Sequence, residues 1–356
     1  MIVKAHSKDY EISLYNSFSF MGELAQIKDK LVVVDKNVYL LYKDIFNCFG
    51  SDEIFLIEAS EENKTMNTVF EVCKKMTELD AKRNASIISF GGGITQDLTG
   101  FAASILYRGV NWHYVPTTLL AQADSCMGSK TSLNFQRFKN LFGTFYPPNK
   151  VYIFPEFLKT LKKDDFLSGL GEVVKFNVMA ASEGISRLEK DLDSLLTYNL
   201  ELLTGYIERS LEFKKSFVEA DEFDFSQRKL LNFAHTFGHA IENVSNFDVP
   251  HGQAVSIGMI IANRISLGRG LISMETCEKI ENLVEKVISV PLKNEYFSSD
   301  SIVENMKKDK KRQGEGLAAV IMNENLELEL VMNVTEKEVK EALRQTKEIL
   351  ISKMVI

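Results

Sequence analysis

Short runs of β-branched and aromatic residues alternate with helical patterns through the first 150 residues of the chain. The runs lie at 31–35, 54–58, 86–90, 112–115 and 151–154. This alternation is typical of a parallel sheet with crossover helices. From about residue 155 strand signals become sparse, and helical patterns such as 188–220 and 276–289 dominate. We therefore predict an α/β domain over 1–154 followed by an all-α domain over 155–356.

Charge and cysteine content exclude several classes of protein. The chain has 42 Lys+Arg and 49 Asp+Glu, and its net charge of −7 argues against nucleic acid as the main partner. The four cysteines are far apart and form no CxxC pair, at Cys48, Cys73, Cys126 and Cys277. They predict no disulfide framework and no thiolate zinc site, which fits a reducing compartment. Without a signal-peptide pattern or a membrane-spanning apolar run, we expect a cytoplasmic protein with no membrane partner.

Three glycines, Gly91-Gly92-Gly93, join a predicted strand to a predicted helix. Glycines at such a junction let the backbone approach a phosphate, and the free N–H groups at the helix start attract negative charge. The spacing does not match GxGxxG, and a turn that needs positive φ would also use glycine. Both interpretations stay open. Other candidate nucleotide contacts lie at predicted carboxyl ends of strands, where open α/β sheets bind ligands: Asp35, Asp97, Thr117 and Thr118.

Three of the five histidines lie in one window of 17 residues, at His235, His239 and His251. His235 and His239 are four residues apart in a helical pattern, so their rings project from one side of the helix, as paired metal ligands do. Spacing alone therefore predicts a metal site with His235 and His239 as a pair and His251 as the third ligand. The alternative is a set of hydrogen-bonded core or surface histidines.

Cationic residues also occur in predicted turns, at Arg108, Lys130, Lys139, Lys175 and in the run 307–312. A run of like charges is usually a solvated face. In an acidic protein, however, cations gathered near glycine turns would suit a small substrate with several negative charges.

Eight motifs follow one another from Gly91 to Lys311, within a matching stretch that begins at about Asp35. They are GGGITQDLTGFAASILYRG, VPTTLLAQADS, GSKTSLN, FKNLFGTFYPP, GLGEVVKFN, LNFAHTFGHAIE, HGQAVSIGM and MKKDKK. In this order they resemble the 3-dehydroquinate synthases, a family of the sugar phosphate cyclases. The resemblance implies an NAD-binding α/β domain, a helical metal-binding domain, a divalent metal (Zn²⁺, with Co²⁺ as the other choice) and a homodimer.

The resemblance also implies roles for individual residues. It assigns the metal to Glu172, His235 and His251, so that His239 becomes a substrate contact. The implied catalytic residues are Asp124, Lys130, Asn140, Lys175 and His239. The implied substrate contacts are Lys214, Arg228, Asn232, Lys310 or Lys311, and Arg108 from the other subunit. The implied NAD contacts are Asp35, Asn37, Glu61, Lys64, Gly92, Gly93, Asp97, Thr117, Thr118, Asp124 and Lys139.

The implied reaction converts 3-deoxy-D-arabino-heptulosonate 7-phosphate to 3-dehydroquinate and phosphate in the shikimate pathway of aromatic amino acid biosynthesis. One hydroxyl is oxidised with NAD, phosphate is eliminated, the hydride returns, and an intramolecular aldol step closes the ring. Three protein ligands leave positions open at a catalytic metal. Lys130, Asn140, Asn232 and His239 would surround the leaving phosphate, where negative charge develops. Lys214 and Arg228 would hold the substrate carboxylate.

Four positions depart from the pattern of the family. Gln96 replaces a glycine of the nucleotide turn, Ser129 and Ser132 occur where GGKTG is usual, and Gln253 replaces a glutamate after His251-Gly252. Gln96 could contact or displace the pyrophosphate, the serines could reshape the phosphate pocket, and Gln253 could remove a carboxylate that tunes the metal. The alternatives are a divergent cyclase for another sugar phosphate such as sedoheptulose 7-phosphate, a metal-dependent polyol dehydrogenase, and a catalytically silent binding protein.

Overall fold

The computed structural model of the chain describes residues 1–79, 83–136, 138–308 and 316–352. Contacts divide the chain into two units. The first comprises Met1–Leu161 and Lys214–Phe223, and the second comprises Lys162–Phe213 and Asp224–Ile356. Because the chain leaves and re-enters the first unit, no single cut describes this division. The domain boundary between residues 154 and 155 therefore stays a prediction.

The first unit is built on strands with these bounds: β1 Ile2–Val3, β2 Tyr10–Leu14, β3 Lys30–Asp35, β4 Ile54–Ile57, β5 Ser86–Gly91, β6 Asn111–Pro116, β7 Lys130–Phe135, β8 Phe138–Phe145 and β9 Lys150–Ile153. Seven of them form one sheet in the order β1-β2-β9-β6-β5-β3-β4, while β7 and β8 form an antiparallel pair. From β2 to β4 all neighbours are parallel. The five strands predicted from apolar runs are confirmed.

Helices of the first unit are α1 Ser19–Ala25, α2 Lys36–Leu41, α3 Met66–Glu78 and α4 Gly93–Ile105. The core of this unit includes side chains from β3, β5 and β6. Among them, Val32, Ile88 and Val115 are fully buried. Strands covered on both faces read as continuous apolar runs, which is why the sequence identified them.

Strand order places the glycine turn beside Asp35. Strand β3 has β4 on one side and β5 on the other, so the chain steps outward after β3 and then returns across it. Such a reversal opens a crevice at the carboxyl ends of the two strands, where open α/β sheets bind ligands. Asp35 ends β3 and Gly91 ends β5, so both belong to this edge.

The second unit is helical. Its helices are α5 Lys163–Met179, α6 Ala181–Leu196, α7 Leu200–Ala220, α8 His235–Val244, α9 His251–Gly268, α10 Met274–Glu285, α11 Ser299–Lys308 and α12 Glu336–Ser352. Helix α9 packs against α5, α8, α10 and α12. It is therefore buried on nearly all sides, and every residue from Gly252 to Asn263 is buried. None of the described helices combines the length and apolar character needed to cross a membrane.

The helical pattern predicted over 188–220 is two helices, α6 and α7. Tyr198 between them has φ of +62°, which interrupts the helix. The side chain of Asn199 accepts a hydrogen bond from the Leu202 N–H at 3.1 Å and so starts the next helix. Asparagine at that position was the missed signal.

An α/β domain followed by a helical domain is the predicted fold class, and it is confirmed. Some strands were not predicted. The second unit also contains an antiparallel hairpin of β10 Leu317–Met322 and β11 Leu328–Val334, in which β10 is almost wholly buried. Its strands pack on helices, and short apolar runs in such a setting resemble buried helix segments.

Candidate functional site

Glycines let α5 and α9 approach each other closely. A Cβ at Gly171 would collide with the carbonyl oxygen of Gly252, and a Cβ at Gly252 would collide with that of Ser168. The Gly252 N–H also donates a hydrogen bond to the Ser168 hydroxyl at 2.9 Å, which holds the two helices together at this contact. Gly171 precedes Glu172, and Gly252 follows His251. The crossing therefore brings these two side chains together.

A second pair of glycines brings α8 to α9. A Cβ at Gly258 would collide with the carbonyl oxygen of Ala234, and a Cβ at Gly238 would lie 3.0 Å from Val255 Cα. Ala234 has φ of +69° and ends the turn from which α8 starts. His235 is the first residue of α8, so this contact fixes its backbone against α9.

The nitrogens of two predicted metal ligands converge on a carboxylate oxygen of the third. Glu172 Oε1 lies 3.4 Å from His235 Nε2 and 3.3 Å from His251 Nε2. The other oxygen, Oε2, lies 2.6 Å from the Lys175 ammonium. Glu172 is fully buried. Helices α5, α8 and α9 thus each contribute one donor group to the cluster.

Hydrogen bonds on the far side of each ring orient the two histidines. His235 Nδ1 lies 3.1 Å from the Phe233 carbonyl oxygen, and His251 Nδ1 lies 3.0 Å from Glu242 Oε2. Since both partners are acceptors, each Nδ1 carries a proton, and in the neutral ring the Nε2 atom has a lone pair. These lone pairs face Glu172 Oε1.

This arrangement fits a cation. Glu172 Oε1 is buried and lacks a hydrogen-bond partner among the described residues, whereas Oε2 is paired with Lys175. Lone pairs of two neutral imidazoles facing a carboxylate oxygen repel each other unless a positive charge lies among them. Imidazole nitrogen and carboxylate oxygen are ligands that zinc accepts. The donor set therefore suits a divalent metal.

The pKa values of the cluster agree with this interpretation. Burial raises the pKa of Glu172, but Lys175 and His235 outweigh it and hold this pKa well below its usual value. Burial, together with Lys175, lowers the pKa of His235. Burial also lowers the pKa of His251, yet its contacts with Glu172 and Glu242 raise it to about 10. With a pKa of about 10, the His251 ring is protonated at neutral pH when no metal is bound. A metal cation would replace the proton on Nε2, because a ligand nitrogen must be deprotonated.

His239 belongs to the same cluster. Ligand nitrogens of His235, His239 and His251 all lie within 4.8 Å of one another. The ring centroids of His239 and His251 are 5.7 Å apart. Two donor sets are therefore within reach: the three histidines that spacing predicts, and the set with Glu172 that the resemblance implies.

Other predicted substrate contacts lie near this cluster in the second unit. Arg228 and Asn232 belong to the short 3₁₀ helix Gln227–Asn232, which leads into α8. The Arg228 side chain is buried. Lys175 Nζ donates to the Leu231 carbonyl oxygen at 3.3 Å, which ties this 3₁₀ helix to α5.

Gln253 does not act on the metal ligands through its oxygen. Its Oε1 accepts hydrogen bonds from the backbone N–H groups of Ser289 and Val290, at 2.9 and 3.2 Å. The side chain is fully buried. The carboxylate that contacts a ligand is Glu242, which the sequence analysis did not single out. It follows His235 by seven residues, or two helical turns, and this spacing was the available signal.

In the first unit, close approach explains the glycine turn. None of the described residues Gly91, Gly92 and Gly93 has φ in the left-handed region. Instead, a Cβ at Gly91 would collide with the Thr95 side chain, and one at Gly92 would lie 3.0 Å from Thr118 Cγ2. The explanation that these glycines serve only to allow positive φ is thereby excluded.

The start of α4 is open to an anion. Its N-cap residue is Gly92, so no N-cap side chain occupies the first N–H groups of the helix. The Thr117 N–H donates to the Gly91 carbonyl oxygen at 3.0 Å, which places the second predicted contact segment beside the turn. Free N–H groups at the start of a helix bind phosphate. The turn and α4 therefore fit the pyrophosphate of a dinucleotide.

Asp35 accepts a hydrogen bond from the Asn37 N–H at 2.8 Å and so starts α2. Burial raises the pKa of Asp35. Asp35 lies at the carboxyl end of β3, the edge of an open α/β sheet at which ligands bind.

Four further side chains form one polar network. Asp97 accepts hydrogen bonds from the N–H and hydroxyl of Ser132, at 3.0 and 2.9 Å, and its Oδ2 lies 2.5 Å from Lys64 Nζ. Lys64 also donates to Asn140 Oδ1 at 2.7 Å. Burial raises the pKa of Asp97. The structure thus joins predicted NAD contacts with Asn140, and Ser132, a departure from the family pattern, is a donor within the network.

Ser129, the other serine of that stretch, has φ of +63°, a left-handed conformation that explains why glycine is usual there. Its hydroxyl donates to the buried Glu222 carboxylate at 3.0 Å. Lys130 follows it at an exposed position. The serine therefore makes a hydrogen bond that a glycine could not make, directly before Lys130, the first residue of β7.

Asp124 lies in a π-helical turn, Ala121–Ser125. Its carboxylate lies 2.7 Å from Lys214 Nζ, which also donates to the Asp124 carbonyl oxygen at 2.8 Å. Gln96 binds the same turn: its Nε2 donates to the Ser125 carbonyl oxygen at 2.6 Å, and the Ser125 hydroxyl donates to Gln96 Oε1 at 2.7 Å. Gln96 therefore holds the Asp124 turn.

The remaining predicted cofactor and substrate contacts do not belong to the clusters described above. Lys139 Nζ lies 3.7 Å from Glu61 Oε1, so these two are neighbours. Arg108 is exposed, with φ of +65°. Lys310 and Lys311 lie outside the described residues.

Comparison with known proteins agrees with the sequence motifs. Residues 54–168 match the family model described as 3-dehydroquinate synthase N-terminal, and residues 169–312 match the one described as 3-dehydroquinate synthase C-terminal. A 3-dehydroquinate synthase from Dictyoglomus turgidum is 37% identical over 344 residues, which cover 95% of this chain and 96% of that protein.

Solved structures share the fold. A 2-epi-5-epi-valiolone synthase from Streptomyces hygroscopicus subsp. jinggangensis, with NAD⁺ and Zn²⁺ bound, has a TM-score of 0.87 at 24% identity over 98% of this chain and 99% of that one. A 2-deoxy-scyllo-inosose synthase, complexed with carbaglucose-6-phosphate, NAD⁺ and Co²⁺, has a TM-score of 0.84 at 24% identity over 97% and 99%. At this identity they establish the fold, while the family models and the Dictyoglomus relative establish the family. This chain belongs to the 3-dehydroquinate synthase family.

Proposed function

We propose that this protein is a 3-dehydroquinate synthase that uses NAD and a divalent metal. It converts 3-deoxy-D-arabino-heptulosonate 7-phosphate to 3-dehydroquinate and phosphate. The observation that carries this proposal is the buried Glu172 carboxylate, faced by two histidine nitrogens, in a chain of this family. Such a site suits a metal that activates a hydroxyl group, which the reaction requires.

Glu172, His235 and His251 are the proposed metal ligands, and His239 is a proposed substrate contact. The choice between the two donor sets rests on Glu172. Its Oε1 atom is buried without a hydrogen-bond partner among the described residues, and it would stay so if the three histidines alone held the metal. Leaving one oxygen of a buried, ionised carboxylate without a partner is costly.

When bound, NAD supplies reversible hydride transfer, and the metal polarises the oxygen of the hydroxyl that is oxidised. Lys175, which lies 2.6 Å from Glu172, and Asp124 orient substrate hydroxyls. Lys130, Asn140, Asn232 and His239 stabilise the leaving phosphate, where negative charge develops. Lys214 and Arg228, both buried cations, bind the substrate carboxylate. Lys310 or Lys311 adds a further cationic contact.

The glycine turn and the residues around it are the proposed NAD site. Gly92, Gly93, Thr117 and Thr118 bind the pyrophosphate end, supported by the open start of α4. The other proposed contacts are Asp35, Asn37, Glu61, Lys64, Asp97, Asp124 and Lys139. The solved cyclases that bind NAD⁺ support this cofactor.

The proposal includes a homodimer in which Arg108 reaches the substrate of the partner. The exposed position of Arg108 is compatible with this role. The proposed location is the cytoplasm. Light scattering of the purified protein tests the dimer. An Arg108→Ala variant that remains dimeric should lose activity and regain part of it when mixed with a variant inactive at Glu172.

A substrate assay tests the proposed activity. Protein supplied with catalytic amounts of NAD and with zinc or cobalt should release one phosphate per 3-deoxy-D-arabino-heptulosonate 7-phosphate, and a chelator should stop the release. Reduced NAD should not accumulate. Turnover of sedoheptulose 7-phosphate alone would point to a divergent cyclase, and stoichiometric accumulation of reduced NAD to a polyol dehydrogenase. Either outcome contradicts the proposal.

A further inference from the structure

The two histidine ligands proposed above differ in what holds them. His235 Nδ1 faces a backbone carbonyl oxygen, that of Phe233, whereas His251 Nδ1 faces the Glu242 carboxylate at 3.0 Å. A carboxylate is the stronger acceptor because it is charged, and a hydrogen bond to it increases the electron density at the opposite ring nitrogen. His251 Nε2, 3.3 Å from Glu172 Oε1, is that nitrogen.

Glu242 is itself held in place. Its residue is 7% exposed and lies in the last turn of α8. Its carbonyl oxygen accepts hydrogen bonds from the Phe247 N–H at 2.8 Å and from the Ser245 hydroxyl at 3.1 Å. These bonds fold the short connection from α8 back toward α9, where His251 is the first residue. Backbone and side chain of Glu242 thus both determine where His251 lies.

The His251 ring needs such a partner more than the His235 ring does. The His251 side chain is 33% exposed, against 14% for His235, so protein packing restrains it less. Without the bond to Glu242, rotation of the ring or exchange of its tautomer would remove Nε2 from the cluster. The hydrogen bond to Glu242 therefore restrains the His251 ring in a way that packing alone does not.

We propose that Glu242 is a positioning residue of the metal site, which holds the His251 ring and its Nδ1–H tautomer so that Nε2 is directed at the metal. This inference rests on the metal ligands of the proposed function but not on the identity of the substrate. It assigns to Glu242 the role that the sequence suggested for position 253, whose side-chain oxygen binds the backbone of Ser289 and Val290 instead.

Metal affinity tests the proposal without an activity assay. Dissociation constants of Zn²⁺ and Co²⁺ would be measured by competition with a chelator, for the full-length protein and for Glu242→Ala and Glu242→Gln. We expect affinity to fall about 10- to 100-fold in Glu242→Ala. Glu242→Gln keeps an acceptor but loses the charge, so it should lie between Glu242→Ala and the unmodified protein. The Co²⁺ absorption spectrum should change in both variants.

Glu281→Gln is the matched control. Glu281 is also a buried carboxylate of the second unit, 3% exposed, but it pairs with Arg264 on α9. This variant should keep the metal affinity and the cobalt spectrum even if its stability falls. If both Glu242 variants kept the affinity and spectrum of the unmodified protein, Glu242 would not position the ligand.

A second measurement uses the unmodified protein, so it does not depend on how the variants fold. Nitrogen NMR of histidine in the zinc-loaded protein should show His251 with a protonated Nδ1 and a metal-bound Nε2. The opposite tautomer would overturn the inference. If metal binding behaved as expected while no phosphate was released from the heptulosonate phosphate, the proposed substrate would be wrong and the role of Glu242 would stand.

Discussion

Single carboxylates organise the candidate metal site of the second unit and the candidate NAD site of the first. Glu172 is approached by Lys175 and two histidines, Asp97 by Lys64 and Ser132, and Asp124 by Lys214. A buried charge is costly unless it is paired and hydrogen-bonded. Each carboxylate therefore holds its partners in place before any ligand binds. Among these partners, Lys214 is proposed to bind the substrate carboxylate, Lys175 to orient substrate hydroxyls and Lys64 to contact NAD.

Arg228 should distinguish substrate binding from cofactor binding. Because a guanidinium matches the geometry of a carboxylate, Arg228→Ala should lower kcat/KM for the heptulosonate phosphate by about 10- to 100-fold. The dissociation constant of NAD should change by less than about twofold. Steady-state kinetics and NAD titration give these two quantities. Lys229→Ala, a neighbouring cation that is less buried, is the control. Equal losses in substrate use and NAD binding would show that Arg228 does not bind the carboxylate.

Residue types and spacing predicted part of the site and not the rest. The three histidines and the glycine turn were visible because their members are close in sequence. Sequence spacing could not predict Glu172, because this residue lies on another helix. It joins the cluster only because glycines let α5 and α9 approach each other. The bond between Gln96 and Ser125 spans 29 residues and has no periodic signature. Family motifs supplied Glu172, but they did not indicate the role of Glu242.

Among the elements, helix crossings at glycines determine the metal cluster. Gly171, Gly252 and Gly258 each lie where a Cβ would collide with backbone of another segment. Backbone cannot move aside as the end of a flexible side chain can. The distance between α5 and α9 is therefore set by glycine, and with it the distance from Glu172 to His251.

Gly252→Ala should separate α5 from α9. We expect a loss of about 1–3 kcal/mol in the free energy of unfolding, typical of overpacking, together with weaker zinc binding. Urea unfolding and chelator competition measure the two effects. Gly268→Ala on the same helix is the control, because nothing lies within 4 Å of a Cβ there. Zinc affinity that survived Gly252→Ala unchanged would mean that the helix crossing does not determine the ligand geometry.

Elements were predicted well where both faces of a strand are buried and less well elsewhere. The five strands found from apolar runs include β3 and β5, which lie inside the sheet. The β7–β8 pair was missed: its residues alternate between buried and exposed, and β8 has no fully buried position. Such strands lack the continuous apolar run on which the prediction relied.

For the molecule as a whole, α7 is shared by the two units. Residues up to Phe213 belong with the second unit, and Lys214–Phe223 belongs with the first. The chain passes between the units after residues 161, 213 and 223. Lys214, with its ion pair to Asp124, begins the segment that belongs with the first unit. Unfolding of either unit would leave part of α7 without its packing partners, so we expect the two units to unfold together.

Trp112 allows this to be tested. It is the one tryptophan of the chain and is buried in β6 of the first unit, whereas the proposed metal ligands belong to the second. Zinc at about 100 times its dissociation constant should add about 2.7 kcal/mol to the free energy of unfolding. In urea unfolding, tryptophan fluorescence and far-UV circular dichroism should shift together by this amount. Glu172→Gln should show neither shift. A zinc-dependent shift in dichroism with unchanged Trp112 fluorescence would mean that α7 does not couple the units, and that each unfolds alone.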